Sequence, residues 1–126
     1  MLGNFGFRSL FLQSLFCASN HKTIIFVVIK MSFSTSHTVR LATGNFNQNA
    51  MDFDKNLKNL MRGILAAKVA GATIFNGPEL AVTGYSCEDH FLEWDTFDHS
   101  LESLAEILPF TNDIFCTIGW DRKSVV

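Results

Sequence analysis

Glu79 is the residue of this sequence best placed for acid–base chemistry. It follows a short apolar run, residues 72–76, across a Gly77-Pro78 turn. A carboxylate at a strand end beside apolar sequence loses part of its hydration. That loss disfavours the charged form and raises the pKa towards neutrality, where a carboxylate works as a general base. An ordinary capping or surface carboxylate fits the same position, and the residues alone leave both readings open. Cys87, Asp89, His90 and His99 offer metal-ligand chemistry, and the Cys-x2-His step is suggestive. Four ligands at structural-site spacing are absent, however. These side chains read as polar loop residues near a pocket mouth, and no metal is expected. The three cysteines, Cys17, Cys87 and Cys116, are too few and too scattered for a disulfide scaffold. They read as reduced thiols of an intracellular protein.

The elements that must position these groups follow from periodicity. Residues 39–46 (VRLATGNF) alternate and end in Gly44-Asn45, a strand followed by a turn. Residues 52–71 read as a helix. Asp52 or Asp54 can cap its start, and Gly71 can end it with positive φ. Phe53, Leu57, Leu60, Met61, Ile64 and Ala67 share one face of it, with Lys55, Lys58 and Arg62 opposite. Residues 72–76 have strand length. Residues 96–108 form a second amphipathic helix, with Phe97, Leu101, Leu104, Ile107 and Leu108 inward. Asp95 is its candidate cap, and Pro109 stops it. Residues 113–120 (DIFCTIGW) are β-formers and give a third strand. The order strand, helix, strand, helix, strand predicts an α/β sheet whose first two strands are parallel. In such a sheet, sites gather at the carboxyl ends of strands, which is where Glu79 falls. Phe46, Phe53, Phe75, Phe91, Phe97, Phe110 and Phe115 are expected in the core. A sheet of three strands leaves faces and edges uncovered, so this looks like the beginning of a larger domain.

Charge divides the chain of 126 residues. The first 51 carry Arg8, Lys22, Lys30 and Arg40 and no acid. From Val69 to Asp121 there are ten acids and no Lys or Arg. The division predicts a leader or upstream extension over residues 1–36, poorly ordered, ahead of a domain over residues 37–126. The leader lacks acids as a mitochondrial presequence does, but it has a single Arg. It contains the apolar run of residues 24–29 without a cleavage site behind it, which disfavours a signal peptide. An extension with no function is the simplest reading, and organelle targeting the next. The net charge of −2 and pI near 6 argue against general nucleic-acid binding. No apolar run reaches the length of a membrane span.

The stretch GPELAVTGYSCEDHF (residues 77–91), with the preceding GATIFN and the opening VRLATGNFNQNAMDFDKNL, resembles the nitrilase (carbon–nitrogen hydrolase) superfamily. Within it, the stretch is most similar to the amino-terminal glutaminase domains of glutamine-dependent NAD synthetases. The segment PEL followed by TGY matches the superfamily's first active-site segment. The C-DH pattern and Glu93, Asp95, Thr96, His99 and Ser100 favour the synthetase subgroup over a generic amidase. The resemblance covers residues 38–120. It implies a partial nitrilase-type α-β-β-α sandwich, of which this chain supplies the first three strands and two helices. It implies a Glu-Lys-Cys triad in which Cys attacks the amide carbon of glutamine. Glu serves first as base and then as acid, and Lys stabilises the tetrahedral intermediate. The triad Glu falls on Glu79, and the aromatic beside the glutamine pocket falls on Tyr85.

The triad Lys and Cys match no residue here. Cys17 lies in the leader, Cys87 in the loop after the Glu motif, Cys116 within a strand, and Lys68 on a helix at no matching position. The resemblance therefore implies an inactive amino-terminal fragment of a glutamine-hydrolysing parent. The parent would take ammonia to deamido-NAD with ATP and Mg in a further domain. No cofactor is expected in this chain itself. A homo-oligomeric, cytoplasmic parent is expected, with mitochondrial targeting by the leader as an alternative, and neither a nucleic-acid nor a membrane partner. A fragment of another nitrilase-family amidase and a non-catalytic isoform that binds full-length subunits are the competing readings.

Overall fold

Two strand–helix–strand units, sharing their middle strand, build the part of the chain that matters for Glu79. The computed structural model describes residues 11–13, 16–17, 24–34 and 37–121. Among them, strands β1 (Phe11–Gln13), β2 (Phe16–Cys17), β3 (Ile24–Ser34) and β4 (His37–Asn45) precede helix α1 (Phe53–Val69). Strand β5 (Ile74–Asn76), helix α2 (Trp94–Ile107) and strand β6 (Phe115–Thr117) follow. The sheet order is β1-β3-β4-β5-β6, with β2 also on β3. Strands β4, β5 and β6 are parallel, in the register Leu41↔Ile74↔Phe115 and Ala42↔Phe75↔Cys116. The α/β class and the parallel pairing predicted from element order are both present.

Within the expected leader, residues 24–34 form a strand. Strand β3 lies inside the sheet, antiparallel to β4 from Ile25↔Asn45 to Ser34↔His37, with an irregularity at Ser32–Ser34. The physical reason is backbone pairing. β4 uses one edge for β5, and an unpaired second edge would leave a row of N–H and C=O groups open. The run IIFVVI is rich in β-branched residues and supplies the neighbour. Charge asymmetry marks composition and does not report this pairing. Apart from β1, β2 and β3, residues 1–36 lie outside the described residues.

Helix α1 forms as its sequence predicts. The Asp52 carboxylate accepts from the Lys55 N–H at 3.3 Å. At the other end, Gly71 (φ 69) donates to the Lys68 carbonyl and Ala72 to that of Ala67, both at 2.9 Å. That pair is a Schellman cap. Leu57, Leu60, Ile64 and Ala67 pack on Phe75 and Ala42. Burying Leu60 and Ile64 completely contributes roughly 1.5–3 kcal/mol each.

Helix α2 is rotated relative to its apolar stripe. Its buried face is Thr96, Ser100, Ser103 and Ile107, while Leu101 and Leu108 are exposed. Small hydroxyl side chains take the inward positions; the two serines bond within the helix, while the buried Thr96 Oγ1 has no hydrogen-bond partner among the described residues. Ser100 donates to the Thr96 carbonyl at 2.7 Å and Ser103 to that of His99 at 2.9 Å. Asp95 does not cap this helix: Glu93 is the capping residue, with no side-chain bond to the backbone. Leu101, Leu104 and Leu108 instead line an open apolar groove of about 510 Å³ with Ile114, Cys116 and Ile118. Phe115, expected in the core, is 66% exposed beside it.

Candidate active site

The carboxyl ends of β4, β5 and β6 open into three segments that bond to one another. After β5, Gly77 donates to the Thr117 carbonyl at 2.8 Å, and Ala81 donates to the Gly119 carbonyl at 3.0 Å. After β4, Met51 donates to the Thr83 carbonyl at 2.9 Å. The Asn76 and Thr117 side chains close the ends of β5 and β6 by a hydrogen bond. Glu79 opens the turn of residues 79–83, which Gly84 closes by donating to the Leu80 carbonyl at 3.1 Å.

Glu79 thus sits where the sequence put it, just beyond a parallel strand's carboxyl end. Its side chain is exposed, not partly desolvated as first expected. Among the described residues, its carboxylate has no hydrogen bond or ion pair. Its direction is set by the backbone beneath it. Gly119 is part of that support. A Cβ on Gly119 would overlap the Glu79 carbonyl and come within 2.7 Å of Glu79 Cα. Only glycine lets the end of β6 run so close. Gly84 (φ 80) is confined in a similar way, against the backbone of Asn49 and Ala50. Tyr85 follows directly and is half exposed. Both sequence-predicted site residues therefore lie on one continuous loop, six residues apart, facing solvent.

The remaining chemistry-bearing candidates are engaged elsewhere. Cys87 is buried, and its thiol donates to the Thr83 and Gly84 carbonyls at 3.3 and 3.4 Å. It braces the loop. Cys116 lines the groove behind β6, where burial pushes its thiol pKa up and Lys68 only partly offsets that. His99 pairs with Glu102 at 3.1 Å and Asp95 at 3.5 Å, and His90 Nδ1 lies 3.0 Å from Glu93. Among the described residues, no three His, Cys, Asp or Glu side chains converge as metal ligands.

The hydrogen bond that His90 Nδ1 donates to the Glu93 carboxylate raises the His90 pKa above its usual value, helped by the Glu93 charge. The raised value means the pairing favours the folded state below about pH 6.5 and fades as pH rises through the folded pKa. A histidine-resolved NMR titration will place His90 above 6.5, and Glu93→Gln will bring it down. An unchanged midpoint in that variant refutes the pairing.

Two polar residues of this loop system carried no role in the sequence reading. Asn56, on α1, is completely buried. Its Oδ1 accepts from the Asn49 N–H at 2.9 Å. Its Nδ2 donates to the Asn49 carbonyl at 2.7 Å and the Val82 carbonyl at 2.9 Å. Gln48 Nε2 donates to the carbonyls of Ala81 and Asn56. Asn59 donates to Gln48 Oε1 at 2.9 Å. A polar residue in line with the apolar stripe of α1 was the available signal, since Asn56 precedes Leu57 and falls one turn before Leu60.

Comparison with known proteins places this arrangement. The carbon–nitrogen hydrolase family profile matches residues 40–121, which contain Glu79, Tyr85, Asn56 and Gly119. A glutamine-dependent NAD(+) synthetase of Arabidopsis thaliana is 57% identical over 83 residues, 64% of this chain and 11% of the relative. One from Dictyostelium discoideum is 52% identical over 85 residues, 65% of this chain and 12% of the relative. The chain thus spans about a tenth of the length of the curated relatives it matches. A crystal structure of a glutamine-dependent NAD(+) synthetase from Cytophaga hutchinsonii superposes with a TM-score of 0.65 at 36% identity. That match covers 67% of this chain and 14% of the other. The parallel strands, the helices between them and the Glu79 loop are those of a carbon–nitrogen hydrolase, and the chain belongs to that family.

Proposed function

We propose that these residues form the opening part of the glutaminase domain of a glutamine-dependent NAD(+) synthetase. The observation that carries the reading is the 57% identity to a protein of that name over a region with Glu79 at a parallel strand's carboxyl end. In this reading Glu79 takes the proton of a cysteine thiol, supplied by sequence beyond the matched region. The sulfur attacks the glutamine carboxamide, a C–S bond forms, and the C–N bond breaks. Glu79 then returns the proton to the departing ammonia. A lysine, also from beyond this region, stabilises the tetrahedral oxyanion. Tyr85, half exposed on the same loop, borders the glutamine pocket. Ammonia then goes to deamido-NAD, activated by ATP with Mg in a separate domain.

The test places residues 40–121 in the corresponding segment of the Arabidopsis thaliana relative. The chimera will make NAD from glutamine and from added ammonia. Glu79→Gln in it will lower the glutamine-dependent rate by about 10²–10⁴-fold and leave the ammonia-dependent rate intact. Equal rates from glutamine with and without the substitution would remove Glu79 from the mechanism.

A further inference from the structure

We infer that Asn56 is a positioning residue for the Glu79 loop, with Gln48 as its second anchor. The inference rests on the functional reading above and adds a part that the triad does not contain. Its starting point is that the Glu79 carboxylate has no side-chain partner among the described residues. A general base must be held within a fraction of an ångström of the proton it takes. Without a side-chain partner, only the backbone of residues 77–84 can hold it.

That backbone has two supports. One is the end of β6, through the Gly77–Thr117 and Ala81–Gly119 hydrogen bonds. The other is the buried carboxamide of Asn56. It makes three hydrogen bonds to the main chain, reaching Asn49 in the loop after β4 and Val82 in the turn after β5. Val82 is three residues from Glu79 and three from Tyr85, so the bond falls midway between the two site residues. Gln48 repeats the bridge one residue earlier, joining Ala81 to the carbonyl of Asn56. The network uses both the donor and acceptor ends of a carboxamide. Aspartate is close in shape but lacks the amide hydrogens that reach the Asn49 and Val82 carbonyls. Leucine or alanine removes the partner of all three main-chain groups and leaves the Val82 carbonyl unpaired in a buried position. The helix α1 is a rigid mount for this group, because Leu57, Leu60 and Ile64 seat it on the sheet.

The experiment uses the same chimera and compares Asn56→Ala, Asn56→Asp, Gln48→Ala and Glu79→Gln. Asn56→Ala will lower the glutamine-dependent kcat by about a hundredfold, the size of effect that a displacement near 1 Å produces. The ammonia-dependent rate will stay within about twofold of the parent, because the defect lies in the loop and not in the rest of the protein. Asn56→Asp will recover activity as pH falls. Its carboxyl, forced against two carbonyls, donates to one of them only when protonated. A purely structural role predicts none of this: both rates would fall together with the folded fraction. Where Asn56→Ala yields no folded protein, Gln48→Ala serves, since its site is only partly buried. It will lower the glutamine-dependent kcat by about tenfold, with the ammonia-dependent rate retained. Hydrogen exchange on the 126-residue chain gives a readout independent of activity. Asn56→Ala will speed exchange at Met51 and Gly84 and leave the centre of α1 unchanged. Parent-like kinetics in both Asn56→Ala and Gln48→Ala, with Glu79→Gln inactive, overturn the positioning role and leave the functional reading standing. Glu79→Gln with full activity overturns that reading first.

Discussion

The 126-residue polypeptide, supplied with glutamine, will release ammonia no faster than its Glu79→Gln variant. In the proposed mechanism, hydrolysis of the glutamine amide needs a nucleophile and an oxyanion stabiliser beside the general base. Glu79 stands alone on its loop among the described residues. The Cys87 thiol is buried and donates to two carbonyls of the same loop, so its sulfur is closed off from a substrate beside Glu79. Cys116 is held in an apolar groove that pushes its pKa up, so it too is a poor nucleophile. Lys68 lies in the last turn of α1, where its charge acts on Cys116. Loss of the nucleophile from a comparable hydrolytic triad costs about a millionfold in kcat. With only the base present, no rate separates the polypeptide from its variant. The measurement is coupled-enzyme detection of ammonia at saturating glutamine. Release well above the Glu79→Gln control would mean that one of these cysteines is the nucleophile after all. Activity of the chimera beside inactivity of the polypeptide localises the missing groups to sequence beyond the matched region.

Where the strands and helices fall was readable because each has a local cause. Asp52 caps α1, Gly71 ends it, and the Leu57–Leu60–Ile64 stripe picks its buried face. The position of Glu79 just beyond a strand was readable from the apolar run and the Gly-Pro turn. What escaped depends on three-dimensional proximity. The buried face of α2 carries Ser100 and Ser103 and not Leu101, because small side chains fit a close helix contact while the leucines face the groove. Amphipathic periodicity ranks residues by hydropathy and does not see the neighbour's shape. Strand β3 was missed because its partner edge lies on β4, and composition alone set it apart. Asn56 was passed over for a related reason. A polar residue beside an apolar stripe reads as solvent-facing until the main-chain groups it bonds are located, and those lie in two loops distant in sequence.

Gly119→Ala will disrupt the Glu79 loop more than any other single methyl addition at its base. The added Cβ would overlap the Glu79 carbonyl and approach its Cα to 2.7 Å. Those atoms are backbone, so no rotamer change relieves the contact. Either the end of β6 withdraws or the turn of residues 79–83 moves. In both cases the Ala81–Gly119 hydrogen bond is lost or stretched. Relieving an overpacked site costs roughly 1–3 kcal/mol, and the lost hydrogen bond about 1 kcal/mol more. A shift of the turn by about 1 Å moves Glu79 by a similar amount, enough for about a hundredfold loss in a proton-transfer step. Gly77→Ala is the matched control. Its Cβ would lie 3.1 Å from the Thr117 carbonyl, tight but relieved by a few tenths of an ångström. In the chimera, Gly119→Ala will therefore cut glutamine-dependent NAD formation far more than Gly77→Ala, with ammonia-dependent formation preserved in both. In thermal unfolding of the 126-residue chain, Gly119→Ala will lower the midpoint by more than about 8 °C, and Gly77→Ala by much less. Equal behaviour of the two variants would show that the end of β6 does not hold Glu79 in place.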